Sequence, residues 1–171
     1  EAQALAKQLP TPWPTFDAAR LQAVGLAQAG RAVEGLAAIE PMRELVEREG
    51  SSEQRGRFWA DYAYVLNSAR RLRATAHALE RAIENARELG DLAELASLTS
   101  NLATVEGNFG HVGQALALAQ RSLALQTELG ATQGPTGAVV RTYVGLYCGM
   151  VGRYREALEH LDAALECFVH D

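Results

Sequence analysis

Apolar and polar residues alternate along this chain with the spacing of an α-helix. In most segments the apolar residues recur at steps of three and four, which places them on one face of a helix. The pattern predicts eight amphipathic helices arranged as four consecutive pairs. The predicted segments are 15–29, 31–49, 52–69, 72–89, 92–109, 112–129, 135–151 and 154–169.

The helix pairs repeat along the sequence. Gly50, Gly90 and Gly130 are evenly spaced, and each follows a similar amphipathic run. A fixed period of about 40 residues is typical of a helical repeat array, in which each pair packs against its neighbours. We therefore expect one repeat domain over residues 15–171. Its units are predicted at 15–50, 51–90, 91–130 and 131–171.

The first residues continue the same period. Ala2, Ala6 and Leu9 stand two periods before Ala82, Ala86 and Leu89. Residues 1–9 are therefore predicted to be the tail of a preceding repeat helix, in a segment excised from a longer protein. Prolines in residues 10–14 predict an extended link, because proline fixes the backbone and restricts the residue before it.

Local sequence signals support the predicted helix ends. Ser51 with Gln54, and the corresponding Asp91 with Glu94, fit the capping box at a helix start. The three evenly spaced glycines are expected to adopt the left-handed conformation that follows a helix end. Pro41 should kink or break the second helix near Glu40.

Small residues at fixed places carry a family resemblance. Ala63, Ala103 and Gly145 lie midway along the first helix of their pairs, where a larger side chain would push the helices apart. Gly110 and Gly152 follow at the turn, and alanines stand early in the next helix. These features resemble tetratricopeptide (TPR) repeats. The resemblance implies an all-α fold, a right-handed α-solenoid of about four antiparallel helix pairs, and a role in protein–protein interaction.

The long period and the run Glu88-Leu89-Gly90-Asp91 resemble the helical repeat region of large bacterial signal-responsive transcription activators. That resemblance implies a sensing module for signal transduction and transcription regulation, beside NTPase and DNA-binding modules. Neither a GxxxxGK[ST] motif nor a separate helix-turn-helix pattern occurs in these 171 residues. The alternative is a freestanding TPR scaffold or peptide-binding adaptor that assembles itself or a complex.

Composition excludes other classes of partner. The net charge is −5, and the basic residues are dispersed among acids, so no direct nucleic-acid contact is expected. The one basic cluster, Arg70-Arg71-Arg73, falls at a predicted turn and is interpreted as solvated. No apolar run is long enough for a membrane helix. Two cysteines and the absence of a signal-peptide pattern in residues 1–10 favour a cytoplasmic location.

No catalytic, metal or cofactor site is predicted. The four histidines are far apart in sequence and show no HExxH motif. Cys148 and Cys167 are expected to be unbridged core residues, because they lie at unequal distances from the same turn. We therefore expect no enzyme activity and no cofactor.

Three other residues have competing interpretations. Trp59 falls at a core position of the repeat, so packing is expected. Trp13 either staples the first hairpin or contacts a partner. Glu106 stands where the family often has an aromatic residue, so it either reaches solvent or marks a change in packing.

Two surfaces are predicted to bind partners, namely a protein or peptide and neighbouring domains of the parent chain. The first is a groove lined by the first helix of each pair, where polar side chains can bond an extended backbone. The second is the apolar stripe of the last helix, which has no capping helix after it and is a candidate for homodimer contacts. The groove residues are Arg57, Tyr64, Asn67, Ser97, Ser100, Thr104, Asn108, Thr142 and Leu146. The end-contact residues are Leu161, Leu165, Phe168 and Val169.

Overall fold

The computed structural model describes residues 12–169, with the side chains of residues 12–167. This part of the chain is all-α. The predicted helical tail at residues 1–9 lies outside the described residues. The extended link predicted at 10–14 is wrong for its described part, because Pro12 has α-helical backbone angles and the first helix begins at Trp13, where proline is tolerated in the first turn. The helices are α1 (Trp13–Gln28), α2 (Ala32–Ile39), a 3-10 helix (Glu40–Met42), α3 (Arg43–Glu49), α4 (Ser52–Ser68), α5 (Leu72–Leu89), α6 (Leu92–Asn108), α7 (Val112–Glu128), α8 (Pro135–Met150) and α9 (Tyr154–Val169).

The helix limits confirm the amphipathic pattern. α5 spans Leu72–Leu89 as predicted, and the other limits agree within about two residues. The predicted break at Pro41 is also confirmed. α2 ends at Ile39, and a single 3-10 turn, Glu40–Met42, precedes α3. Proline lacks the N–H that would continue the α-helical hydrogen-bond ladder, which explains the break.

The chain folds as two compact units. The first extends to Asn85, and the second begins at Ala86. In the first unit α1 packs against α2 and α4. Large side chains from four helices fill its core, and each is 1% exposed or less. They are Phe16, Ile39, Val46, Phe58 and Val65.

The second unit contains the hairpins α6–α7 and α8–α9, and α7 also packs against α8. Its main core is built mostly from alanines of α7 and from larger side chains of α8. Alanine at these positions lets the helices approach closely. The core members are Ala103, Ala115, Leu116, Ala119, Val144, Tyr147, Cys148 and Ala157.

The glycines that mark the period do not all have the same backbone conformation. Gly90 and Gly130 adopt φ values of +69° and +67°, as predicted for the residue after a helix end. The prediction is wrong for Gly50, which is extended with φ −72° and ψ 143°. Glycine is required there for a different reason. A Cβ atom on Gly50 would lie 2.4 Å from the carbonyl oxygen of Val46.

The turns inside the pairs use the left-handed conformation throughout the described residues. Gly30, Gly110 and Gly152 have φ values of +76°, +82° and +83°. Arg70 stands at the corresponding position of the second pair and adopts φ +59°. Arginine therefore occupies a conformation that its Cβ atom disfavours.

Close helix approach at the small residues is confirmed. A Cβ atom on Gly145 would lie 2.8 Å from Cγ of Leu161 and 3.1 Å from the carbonyl oxygen of Ala157, both in α9. Ala63 and Ala103 are 2% and 0% exposed. These positions have no room for a larger side chain, in agreement with the packing argument.

The predicted caps are also present. Ser51 Oγ accepts a hydrogen bond from the Gln54 amide at 3.2 Å, and Gln54 Oε1 accepts one from the Ser51 amide at 2.8 Å. Asp91 Oδ1 accepts from the Glu94 amide at 3.0 Å. Each cap satisfies amide groups that the first helical turn leaves without a partner.

Candidate partner-binding face

The second unit presents corresponding positions of α6 and α8. Thr104 and Asn108 lie one turn apart on α6, and Leu146 and Met150 stand one repeat later on α8. Because the spacing equals the local repeat, these residues occupy the same helix face in successive pairs. We call this surface the α6/α8 face. Its residues are Ser97, Thr104, Asn108, Val139, Leu146 and Met150.

One side of this face is polar and the other is apolar. On α6, Asn108 is exposed and Thr104 is half-buried. On α8, Val139, Leu146 and Met150 are 45%, 50% and 56% exposed. These three large apolar side chains lie on one face of α8, and exposed apolar side chains that share a face are candidates for contact with a partner.

Tyr147 fixes the distance between the two helices. Its hydroxyl donates a hydrogen bond to the carbonyl oxygen of Ala103 at 3.2 Å. Burial raises the pKa of Tyr147, and the neighbouring Tyr143 raises it further. The phenol therefore remains a neutral donor under ordinary conditions and holds α8 against α6.

The repeat pattern did not predict this role for Tyr147. The relevant sequence feature is Gly107, a glycine inside a helix without a turn function. A Cβ atom on Gly107 would lie 2.5 Å from Oη of Tyr147. The glycine thus makes space for the tyrosine ring beneath the α6/α8 face.

The structure corrects part of the predicted groove. Ser100 is only 8% exposed, so its side chain is not available to a partner. The hydroxyls of Thr104 and Thr142 donate to carbonyl oxygens one turn earlier in their own helices, at 3.3 and 2.8 Å. These bonds occupy the donors that were expected to face a peptide backbone.

The predicted groove residues of α4 belong to the first unit. Arg57, Tyr64 and Asn67 are exposed, and Tyr64 is 44% exposed. The Arg57 guanidinium forms an ion pair with Glu53 at 2.6 Å, one helical turn away. This pairing satisfies the charge of Arg57 within its own helix.

The two tryptophans behave differently. Trp59 is 5% exposed and donates its indole N–H to Glu47 Oε1 at 2.7 Å, which confirms a packing role. Trp13 is half-buried, and its ring meets Phe16 edge to face with centroids 5.9 Å apart. Both rings belong to α1, so the contact lies within one helix, and the staple and partner interpretations of Trp13 both stay predictions.

Glu106 marks a change in packing. The residue is 7% exposed, and its Oε2 lies 2.7 Å from Nδ1 of His111. The carboxylate is therefore withdrawn from solvent and finds its partner at the turn between α6 and α7. Of the two interpretations of this position, solvent exposure is wrong.

The described residues contain no cluster of three potential metal ligands. Cys148 and Cys167 are both buried and unbridged, in agreement with their predicted core role. Burial raises the pKa of the Cys148 thiol, which lowers its thiolate fraction. Among the described helices, none is both long and apolar enough to cross a lipid bilayer.

The predicted end-contact residues lie on α9. Leu165 is 63% exposed, whereas Leu161 is half-buried and packs where Gly145 leaves space. The side chains of Phe168 and Val169 lie outside the described residues.

Comparison with known proteins identifies the repeat. Residues 94–168 match the tetratricopeptide repeat family. This segment is a TPR array. No curated protein matches the chain in sequence.

Two solved structures extend the fold to nearly the whole chain. BtubC (BKLC) from P. vanneervenii matches with a TM-score of 0.87 and 18% identity, over 96% of this chain and 68% of that one. A STAND (Signal Transduction ATPase with Numerous Domains) protein with a TPR sensor from Pyrococcus horikoshii matches with a TM-score of 0.85 and 12% identity, over 97% of this chain and 26% of that one. At these identities the likeness concerns the fold.

These matches confirm the predicted fold class, an all-α solenoid of TPR-like helix pairs. TPR repeats are protein–protein interaction modules, and this is the functional class that the match implies. The architecture serves many partners, so any finer function depends on the exposed faces.

Proposed function

We propose that the chain is a protein-interaction and sensing module that binds a peptide or protein segment on the α6/α8 face. The observation that carries this proposal is the exposed apolar row of α8, formed by Val139, Leu146 and Met150. Beside it, Ser97 and Asn108 of α6 supply exposed polar groups.

This combination favours a segment with one apolar side. Apolar side chains of the partner would pack on Leu146 and Met150, which removes apolar area from water. Polar groups of the partner would face the α6 side. Because Tyr147 and Gly107 lock the two helices together, the face is pre-organised, and little ordering free energy is lost on binding.

We further propose that the module is the TPR region of a larger bacterial, cytoplasmic transcription regulator. The STAND neighbour, in which a TPR sensor accompanies an ATPase, supports this setting by analogy. A parent reading frame without NTPase and DNA-binding modules would remove the transcription part of the proposal and leave the interaction part standing.

A freestanding scaffold that assembles itself or a complex is the second candidate. The exposed leucines of α9, Leu158 at 62% and Leu165 at 63%, favour it. The two candidates differ in which face binds, so variants on α8 and α9 separate them.

The binding proposal is tested by selecting ligands from a random peptide library with the intact chain. The selected peptides are then measured against Leu146→Asp and Met150→Asp. Each substitution places a charge in the apolar row, and we expect affinity to fall about tenfold or more. Leu129→Asp is the matched control. Leu129 is also an exposed leucine, at 42%, but it follows the end of α7 and lies outside the α6/α8 face.

Circular dichroism and urea unfolding must show that the variants keep their fold, which is expected because the substituted side chains are exposed. Peptides that bind all three variants as tightly as the parent chain would refute the α6/α8 face as the site.

A further inference from the structure

A cleft lies between two turns of the first unit. The turn from α1 to α2 forms one wall, and the turn from α4 to α5 forms the other. The volume of the cleft is about 440 Å³, which falls within the range of ligand pockets, about 300–1,000 Å³. We call this cavity the turn cleft. Its larger lining side chains are Arg31, Val33, Glu34, Ser68 and Arg70.

The charges that line the turn cleft do not cancel. Nε and Nη2 of Arg31 donate to the two carboxylate oxygens of Glu34 at 2.7 and 2.6 Å, so these two residues neutralise each other. The guanidinium of Arg70 is exposed and has no hydrogen-bond or ion-pair partner among the residues that the structure describes. The cleft therefore carries a free positive charge.

Two further arginines extend this charge along the chain. Arg71 and Arg73 are exposed, and within the described part of the chain their side chains also have no partner. Residues 62–79 contain these arginines and Arg70 but no acid. The last acid before them, Asp61, is already paired with Arg20. The region beside the cleft is therefore basic, although the whole chain has a net charge of −5.

The backbone of Arg70 shows that the turn itself does not require an arginine. The corresponding residues of the other pairs are Gly30, Gly110 and Gly152, all with positive φ, and Arg70 adopts the same left-handed conformation at φ +59°. Glycine adopts this conformation without steric cost, whereas a residue with a Cβ atom does not. Disfavoured backbone conformations are often found at binding sites.

The turn cleft also has an apolar side. Val33, in the first turn of α2, is 71% exposed and lines the same cavity as Arg70. A free guanidinium and an exposed valine that share one cavity match a ligand that has a carboxylate next to an apolar side chain.

We propose that the turn cleft binds an acidic segment of a partner protein, with a carboxylate on Arg70 and an apolar side chain on Val33. Arg71 and Arg73 attract the neighbouring carboxylates of the same segment. The cleft is a different surface from the α6/α8 face, and the inference does not rest on the function proposed above.

The same residues disfavour a nucleic acid as the occupant. Glu34 places a carboxylate in the cleft, and the chain is acidic overall, so a chain of phosphates is repelled outside the basic cluster. Val33 offers a phosphate no favourable contact, whereas it removes apolar area of a peptide side chain from water.

The test measures the binding of fluorescein-labelled peptides to the intact chain by fluorescence anisotropy. The acidic peptide is Gly-Asp-Glu-Leu-Asp-Glu-Gly. In a neutral peptide Asn and Gln replace Asp and Glu, and in a third peptide Ser replaces Leu. We expect the neutral peptide to bind about tenfold more weakly than the acidic one. Added sodium chloride should weaken the binding of the acidic peptide, because salt screens exposed charges.

Chain variants locate the site. Arg70→Gly should weaken the acidic peptide about threefold or more, and adding Arg73→Gln should bring the loss to about tenfold. Because glycine is preferred at the φ of Arg70, this variant is expected to be at least as stable as the parent chain, so unfolding does not explain weaker binding. Urea unfolding is measured first to verify this.

Arg121→Gln is the matched control for charge. Arg121 is an exposed arginine of α7 that also has no ion pair within residues 12–167, and its substitution removes the same charge. Binding of the acidic peptide should stay unchanged. Val33→Ser tests the apolar contact, and it should weaken the leucine peptide but not the serine peptide.

Four results would overturn the proposal. One is equal binding of the acidic and neutral peptides. Another is an equal loss in Arg121→Gln and Arg70→Gly, which would indicate attraction by overall charge. A third is loss of binding in Leu146→Asp but not in Arg70→Gly, which would assign the peptide to the α6/α8 face. The last is tighter binding of fluorescein-labelled oligothymidylate than of the acidic peptide, abolished in Arg70→Gly, which would make a nucleic acid the occupant.

Discussion

Gly107 and Tyr147 interlock, because the tyrosine ring occupies the space where a side chain on the glycine would begin. A Cβ atom on Gly107 would lie 2.5 Å from Oη, 2.8 Å from Cε1 and 2.9 Å from Cζ of Tyr147. The ring is 4% exposed and is held by its bond to the Ala103 carbonyl, so it cannot move aside freely. The spacing of α6 and α8 depends on this contact.

We predict that Gly107→Ala destabilises the protein. Alanine is preferred over glycine within a helix by about 1 kcal/mol. Overpacking against a buried ring costs about 1–3 kcal/mol, so the net loss should be about 1 kcal/mol. Urea unfolding measures the difference.

The control for this prediction is Gly149→Ala in α8. A Cβ atom there meets nothing closer than Cβ of Ala157 at 3.9 Å. Only the higher helix propensity of alanine over glycine then acts, and stability should rise by about 0.5–1 kcal/mol. If both variants were stabilised equally, the contact with Tyr147 would not limit this position.

Arg70 gives a second prediction. Substitutions at two corresponding turns, Arg70 and Gly110, should change stability in opposite directions. Arg70 adopts φ +59°, where the corresponding residue of the third pair is Gly110 at φ +82°. Replacing Arg70 by glycine should stabilise the protein by about 1 kcal/mol, because the left-handed conformation costs a residue with Cβ about that much.

The reciprocal variant is Gly110→Ala, which should lose about 1 kcal/mol for the same reason. A Cβ atom on Gly110 meets no other atom within 4 Å, so the effect measures backbone conformation alone. Thermal unfolding of both variants checks the pair. A stabilising Gly110→Ala would contradict the argument.

Much of the fold is predictable from sequence because it depends on local patterns. Apolar steps of three and four predicted the helices, Pro41 predicted the break after Ile39, and Ser51 predicted a cap that is present. Such features involve residues that are close in sequence, so they can be predicted from the sequence alone.

The exceptions depend on contacts that the repeat spacing does not predict. Gly50 repeats the spacing of Gly90 but approaches the backbone of Val46 instead of turning left-handed. Ser100 has the spacing of an exposed groove residue and is buried. Tyr147 was missed because its role requires knowing that α8 lies against Gly107, which is a tertiary contact.

Glu47 gives a third prediction, because it joins three helices of the first unit. This α3 carboxylate accepts the indole N–H of Trp59 in α4 at 2.7 Å and pairs with Arg81 of α5 at 3.1 Å. Glu47→Ala should cost about 2 kcal/mol, since it leaves the N–H of a buried tryptophan without an acceptor.

Glu49→Ala is the matched control in the same helix. Glu49 is exposed and pairs with the adjacent Arg48, so its loss should change stability by about 0.5 kcal/mol or less. Glu47→Gln should recover most of the loss, because its carbonyl oxygen can still accept from Trp59. Urea midpoints of the three variants, with tryptophan fluorescence as the probe, check the order.

Tyr62 gives the final prediction, which concerns alkaline pH. Burial, followed by its hydrogen bond to Glu40, raises the pKa of Tyr62 from 10.0 to about 12. The unfolded chain loses this proton near the ordinary pKa, whereas the folded chain keeps it. Between these pH values the folded state holds more protons, so stability falls as pH rises.

The urea midpoint should therefore decline between about pH 10 and about pH 12, and the ionisation of Tyr62 contributes to that decline. Tyr62→Phe removes the titrating group and should flatten that part of the decline. Tyr64→Phe, which removes the hydroxyl of an exposed tyrosine in the same helix, is the control variant. Equal slopes in all three proteins would show that the phenol of Tyr62 ionises alike in the folded and unfolded chain, and its hydrogen bond to Glu40 would then have no influence on the alkaline stability.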